Sequence, residues 1–205
     1  INEEVVKNIV GYSNIEKEDL VIEIGPGLGT LTKYLLEKAG KVICIELDTK
    51  MLQILEDRFS LYNNFELINN DVLKVDLKNI IEKEKTEGKI KNVKIVANLP
   101  YYISTPIIMK LLENRLDIDE IIVMVQKEVA ERLTAKTGTR LAGAITYAVE
   151  YYSDATSIIK VPKESFVPSP KVESEVIKLK VRKGKKIQVK DEKLLFNIIS
   201  KSFMQ

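Results

Sequence analysis

The stretch Leu20-Val-Ile-Glu-Ile24, followed at once by Gly25-Pro-Gly27-Leu-Gly29, leaves this chain few choices of fold. The apolar, branched residues read as a short buried strand. Three glycines spaced two apart make a turn whose backbone can take positive φ and approach a ligand closely. Leu31 to Ala39 then reads as a helix. Strand, glycine turn and helix in that order open an α/β sheet that takes ligands at the carboxyl ends of its strands. Further strands are expected at Lys41–Glu46, 65–68, 93–97 and 121–125. Helices are expected over Ile1–Val10, over Thr49–Phe59, from Thr105-Pro106 onward, and where Leu141, Ile145, Ala148, Val149 and Tyr152 repeat at helical spacing. Residues 82–89 between the third and fourth strands read as a charged, exposed connection. Two late strands, 156–161 and 175–181, are joined by a proline-containing loop, and a helix follows over 191–204. The fold class is therefore α/β and Rossmann-like, a mostly parallel sheet with an antiparallel final strand.

Composition narrows the chemistry. The chain has no histidine and a single cysteine, Cys44. Histidine-based triads, most zinc sites and any disulfide framework are thereby excluded, and no metal is expected. No apolar run reaches the roughly 18 residues of a membrane span, so a cytoplasmic setting away from membranes is expected. Residues 160–190 carry ten Lys and Arg against three Asp and Glu, a local +7 within a total of +2, so the remainder carries −5. Such asymmetry suits a polyanionic partner and equally suits a solvated lysine-rich face.

Around the glycine turn, the acids are informative. Gly25 and Gly27 are followed by Thr30 where a dinucleotide fingerprint has its third glycine, and Glu23 stands two residues before the first. A pyrophosphate is a poor match, whereas a carboxylate suits a cationic group such as an α-ammonium. Glu46 ends the second strand and is placed to accept both hydroxyls of a ribose. Asp71, with Val72 beside it, follows the third strand and is placed to accept from an adenine amino group. Few ligands carry an ammonium, a ribose and an adenine in one molecule; S-adenosylmethionine fits all three, and a class I methyltransferase fold is expected with it.

Asn98-Leu99-Pro100-Tyr101 directly follows the fourth strand. Adenine N6 is a weak nucleophile because its lone pair is delocalised into the ring. Acceptors for both N6 protons favour a pyramidal nitrogen. The Asn98 side-chain oxygen and the Leu99 carbonyl supply them if Pro100 fixes the turn. Tyr101 offers a face for the base. Phe166, in the proline-rich loop, is either a second stacking face or a hydrophobic plug under the loop.

Asn98-Leu-Pro-Tyr-Tyr-Ile-Ser-Thr-Pro106, Val125-Gln-Lys-Glu-Val-Ala-Glu-Arg132 and Phe166-Val-Pro-Ser-Pro-Lys-Val172 resemble the bacterial small-subunit rRNA adenine dimethyltransferases of the KsgA (RsmA) type. The resemblance runs through essentially the whole chain. It implies two successive methylations on each of two adjacent adenines near the 3′ end of 16S rRNA, within the 30S subunit or its precursor. It assigns the cofactor to Glu23, Gly25, Gly27, Gly29, Glu46, Asp71, Val72 and Asn98. It assigns catalysis to Asn98, Leu99, Pro100 and Tyr101, and base contact to Tyr101 and Phe166. Lys183, Lys185 and Lys186 are candidates for phosphate contact, and a cytoplasmic monomer is expected. Residues 1–190 are expected to form the methyltransferase domain and residues 191–205 to begin a C-terminal helical domain. The family's segment containing Gln-Asn-Phe-Leu before the first helix, and the bulk of that helical domain, lie outside this sequence. Three rivals remain: the 23S rRNA adenine methyltransferases of macrolide resistance, which usually have Ile at the place of Leu99; a nicotinamide-dependent oxidoreductase; and a non-catalytic assembly factor.

Overall fold

The computed structural model of the chain describes residues 1–88, 90–184 and 187–203. The elements run α1 (Glu3–Tyr12), β1 (Asp19–Ile24), α2 (Thr30–Lys38), β2 (Lys41–Glu46), α3 (Thr49–Phe59), β3 (Phe65–Asn69), α4 (Leu77–Glu87), β4 (Asn92–Asn98), α5 (Ser104–Glu113), β5 (Glu120–Gln126), α6 (Lys127–Thr134), α7 (Ala144–Tyr152), β6 (Ser153–Val161), β7 (Ser174–Val181) and α8 (Glu192–Ser202). The seven strands form one sheet in the order β3-β2-β1-β4-β5-β7-β6. The first five are parallel, and β7 runs antiparallel to both β5 and β6.

Strand alternation divides the core between the two faces of this sheet. Leu20, Ile22 and Ile24 of β1, with Ile95 and Ala97 of β4 and Ile121 and Val123 of β5, join one cluster with Leu77 and Ile81 of α4 and Ile107, Ile108, Leu111 and Leu112 of α5. Val21, Val96, Ile122 and Met124 point to the other face and join Val6, Ile9 and Val10 of α1, Leu31 and Leu35 of α2, and Leu55 and Phe59 of α3. Helices cover both faces, which is why the central strands are mostly apolar and buried on both sides instead of alternating.

Two helices differ from the sequence-based expectation. Residues 82–89 were expected as an exposed connection, but α4 occupies Leu77–Glu87. Its charged second half is exposed, and only Leu77 and Ile81 are buried, too few apolar positions for the periodicity to declare itself. Asp76 caps it by accepting from the Asn79 N–H at 3.1 Å. The short α6 went unassigned for a similar reason. It buries only Ala130 and Leu133, and its surface carries the Arg132–Glu128 ion pair at 2.6 Å, one turn apart.

The α8 helix packs on α7, where Phe196 meets the rings of Tyr151 and Tyr152. Glu192 fastens its start, accepting from Arg115 at 2.7 Å, from Tyr151 at 3.1 Å and from Tyr152 at 3.2 Å. Among the described residues no helix is long and apolar enough to cross a membrane.

Candidate active site

In-register parallel pairing brings the carboxyl ends of the strands to one rim of the sheet. Ile24 lies beside Ile45, Glu46 beside Asn69, and Asn98 beside Met124. The glycine turn leaves β1 at this rim with Gly25, Gly27 and Gly29 at φ of 65°, 56° and 77°. All three sit in the left-handed region that side chains resist. At Gly29 space adds to the restriction, since a Cβ there would stand 2.3 Å from the Phe59 ring. The third glycine thus lets α2 start hard against α3. The turn is held by the Gly25 N–H donating to Ile45 O at 2.9 Å and by the Gly29 N–H donating to Pro26 O at 2.9 Å.

Glu46 is 8% exposed at the end of β2. One carboxylate oxygen accepts from the Leu47 and Asp48 N–H groups, each at 2.9 Å, and the other accepts from the Gly27 N–H at 3.2 Å. Its orientation is therefore fixed, and it ties the glycine turn to β2. A cleft of about 110 Å³ is lined by Gly25, Glu46, Asp71 and Val72 together with apolar Ile24, Ile45, Ile103 and Ile107. Asp71 caps its own turn by accepting from the Leu73 N–H at 2.9 Å. Lys110 of α5 donates to Val72 O at 3.2 Å and also to Leu73 O. That lysine clamps the Asp71 loop onto the helix that follows the Asn98 turn. A lone lysine inside an apolar helix gave the sequence no signal of this role.

Glu23 requires a correction. The spacing suggested a carboxylate facing a ligand's ammonium, but the side chain is 2% exposed and turned into the protein. As a β1 residue between Ile22 and Ile24, it shares the face of Val21, beneath α2. Its Oε2 accepts from Thr32 Oγ1 at 2.6 Å and lies 3.5 Å from Cys44 Sγ. Burial pushes its carboxyl up to about 7. The contacts of Thr32 and Cys44 pull the other way, and the nearby charge of Glu46 adds to the rise. Glu23 underpins the glycine turn and faces no cleft.

A second, wider cavity of about 370 Å³ is lined by Asn98, Leu99, Pro100, Tyr101, Phe166, Pro168 and Pro170. Pro100 lines this cavity and the acidic cleft alike, so the two spaces meet at the Asn98 turn. Leu99 is buried, with its N–H donating to Met124 O at 3.2 Å. The turn closes as the Ile103 N–H donates to Pro100 O at 3.2 Å. Among the described residues, neither the Asn98 amide nor the Leu99 carbonyl has a hydrogen-bond partner. Tyr101 is anchored by a 2.5 Å hydrogen bond between its hydroxyl and that of Ser174 on β7. Phe166 combines the two roles left open for it: it packs partly buried on the core and also lines the cavity. Tyr102, 86% exposed, stands at the rim of the acidic cleft.

The basic cluster also needs correction. Lys183 is paired with Asp117 and lies 3.0 Å from Asp119. Arg182 pairs with Asp154. Local sequence charge missed these partners because both carboxylates of Lys183 come from the α5–β5 connection, far away in the chain. Lys185 and Lys186 lie outside the described residues. Among the described residues no cluster of potential metal ligands is present.

The comparisons with known proteins agree with this geometry. The small-subunit rRNA methyltransferase A of Alkaliphilus metalliredigens is 46% identical over 203 residues, covering 99% of this chain and 70% of that protein. Its namesake in Lachnoclostridium phytofermentans is 48% identical over 206 residues, covering 100% and 70%. The crystal structure of a dimethyladenosine transferase from Plasmodium falciparum superposes with a TM-score of 0.84 at 32% identity, over the whole chain and 70% of that structure. The 23S rRNA methyltransferase ErmE, at 22% identity and a TM-score of 0.77 over the whole chain and 76% of that structure, shares the fold. The family model for ribosomal RNA adenine dimethylase matches residues 1–205, and the chain belongs to that family.

Proposed function

We infer that this protein is an S-adenosylmethionine-dependent rRNA adenine N6,N6-dimethyltransferase, and that its substrate is a pair of adjacent adenosines near the 3′ end of 16S rRNA in the small subunit or its precursor. The observation that carries this reading is the meeting of two cavities at one Asn-Leu-Pro-Tyr turn. The acidic cleft suits the cofactor. Its apolar walls match an adenine, Asp71 and the Val72 N–H match the polar edge of that ring, and Glu46 matches a ribose. At Gly25 and Gly27 a Cβ would meet nothing within 4 Å, so bare backbone faces the opening. When bound, S-adenosylmethionine supplies an electrophilic methyl group on a sulfonium.

The residues of this chain do the rest. Tyr101 and Phe166 hold the extruded base by its faces. The Asn98 side-chain oxygen and the Leu99 carbonyl accept from the two N6 protons and draw the nitrogen lone pair out of conjugation. On accepting the methyl group that the bound cofactor would supply, with the bonding pair left on its sulfur, N6 would give up one proton to solvent. A second round, in which one of these acceptors holds the single remaining N6 proton, gives the dimethylated base. No strongly basic side chain is needed, consistent with a chain without histidine. The relatives named for the small-subunit enzyme are more than twice as identical to this chain as ErmE is, which favours 16S over 23S rRNA. Residues 1–190 constitute the methyltransferase domain in this reading, with α8 opening a helical one. The test is labelled methyl transfer to unmethylated 30S subunits, with mapping of the modified bases. Dimethylation of two adjacent adenosines near the 3′ end is expected, and modification of 23S rRNA alone would replace the substrate assignment.

A further inference from the structure

We propose that Val167 is the wedge that enters the RNA stack when the target adenine leaves it, with Lys163 and Lys171 gripping the phosphates around the vacated position. The proposal rests on the rRNA reading above and concerns how the base reaches the cavity. Taking a base out of its stack leaves a gap, and proteins that unstack bases commonly fill such gaps with an apolar side chain.

Val167 is 94% exposed. An isolated exposed valine is ordinary, so its setting has to carry the inference. Phe166 and Pro168, on either side of it, both line the base cavity. Val167 therefore sits on the rim at the place a base must pass. The loop that carries it is held at several points. Phe166 packs against the core, the Ser165 N–H donates to Pro162 O at 3.0 Å, the Phe166 N–H to Lys163 O at 3.3 Å, and the Ser169 hydroxyl to Lys163 O at 2.9 Å. Pro162, Pro168 and Pro170 restrict the backbone further. A β-branched side chain has few χ1 choices to lose. The apolar tip is thus presented with little left to order on binding. Its charged neighbours fit the same partner: among the described residues, neither Lys163 nor Lys171 has a carboxylate at ion-pair distance, in contrast to Lys183. An apolar tip with a lysine four residues away on either side in sequence, neither in a salt bridge among the described residues, suits a base stack flanked by phosphates.

The test uses an RNA hairpin bearing the adjacent target adenines, with 2-aminopurine beside the first of them, and the variants Val167→Ser and Val167→Ile. Fluorescence should rise when the wild-type protein binds, because extrusion unstacks the neighbour. In Val167→Ser the rise should be lost and kcat/KM should fall by about tenfold, a fraction of the cost of unstacking one base step. Affinity for S-adenosylhomocysteine and Tm should not change. Val167→Ile should behave as wild type, and an abasic neighbour, which removes the stack to be opened, should restore Val167→Ser. A Val167→Ser protein equal to wild type in fluorescence and rate overturns the wedge while leaving the enzymatic reading intact. A wild-type protein that methylates neither this RNA nor 30S subunits overturns that reading, and the wedge with it.

Discussion

The two cavities that meet at Pro100 are built in opposite ways. The acidic cleft is narrow and made by strand ends, with Glu46 fixed by three backbone N–H groups and the glycine turn by its own φ angles. The base cavity is about three times larger, and three of its seven lining residues come from a proline-rich loop nearly seventy residues downstream of Asn98. One site is preorganised by the ends of neighbouring parallel strands. The other is assembled from two distant loops, braced by the hydrogen bond between the hydroxyls of Tyr101 and of Ser174 on β7. A small cofactor of constant shape suits the first arrangement, and a base delivered on a large RNA suits the second.

The sharpest way to separate them is Asn98→Ala. In the proposed mechanism the side-chain oxygen acts on the target nitrogen, and the cofactor is held by Glu46, Asp71, Val72 and the glycine turn. Methyl transfer should fall by at least about a hundredfold, the scale of removing one aligned polar group from a reacting centre. Affinity for S-adenosylhomocysteine by calorimetry should stay nearly unchanged. A variant that keeps more than a few per cent of the wild-type rate would sink the N6-activation mechanism.

The converse change belongs to the cofactor cleft. Glu46→Ala removes the acceptor for two ribose hydroxyls, each bond to a charged acceptor being worth roughly 1.5–3 kcal/mol. Cofactor affinity should drop at least about tenfold. Because Glu46 also holds Gly27, Glu46→Gln is the companion variant: it keeps one acceptor and should recover part of the loss. Calorimetry giving wild-type affinity for Glu46→Ala removes Glu46 from the ribose.

How much of this was legible in the sequence follows the same division. The gathering of Gly25, Glu46, Asp71 and Val72 at one cleft was readable because parallel strands deliver their ends to one rim in chain order. Asn98 to Tyr101 declared itself through chemistry. The direction of Glu23 was missed because a motif gives position along a strand, whereas the face comes from alternation with Ile22 and Ile24. The pairing of Lys183 was missed because charge counted along the chain ignores partners elsewhere in it. Lys110 and Ser174 were invisible, since each acts by bracing another residue and carries no motif of its own. Phe166 was half legible, its loop evident and its destination not.

Glu23 offers a subtler contrast, because it supports the cleft without facing it. An acid held at about 7 in the folded protein and near 4.5 when unfolded binds more protons folded than unfolded between those values. Stability should therefore fall as pH rises from about 4.5 to about 7 and level off above it. Glu23→Gln lacks this titration. The stability difference between variant and wild type should move in favour of the variant by an amount on the order of 2 kcal/mol between pH 5 and 8, read from denaturant unfolding. Parallel pH profiles would mean that Glu23 stays ionised in its pocket.

The smallest expected effect distinguishes the cations that serve the base cavity from those that serve the fold. Lys183 is bound to Asp117 and Asp119 and has no charge to spare for a phosphate. Lys163 and Lys171 lie in the loop that carries Phe166, and among the described residues neither forms a salt bridge. Each phosphate contact to a single strand adds about 0.7 to the slope of log affinity against log salt. Lys163→Ala with Lys171→Ala should therefore flatten the slope for an rRNA fragment by about 1.4 if each lysine meets one phosphate, while Lys183→Ala should leave it unchanged. Lys183→Ala should instead lower Tm slightly, because Asp119 loses a partner and Asp117 keeps only Lys85. If Lys183→Ala flattened the salt slope as much as the double variant, the strand-end carboxylates would have to release it on RNA binding. Positive charge would then be shared across the whole β5–β7 end of the sheet, and would no longer be confined to the loop that carries Phe166.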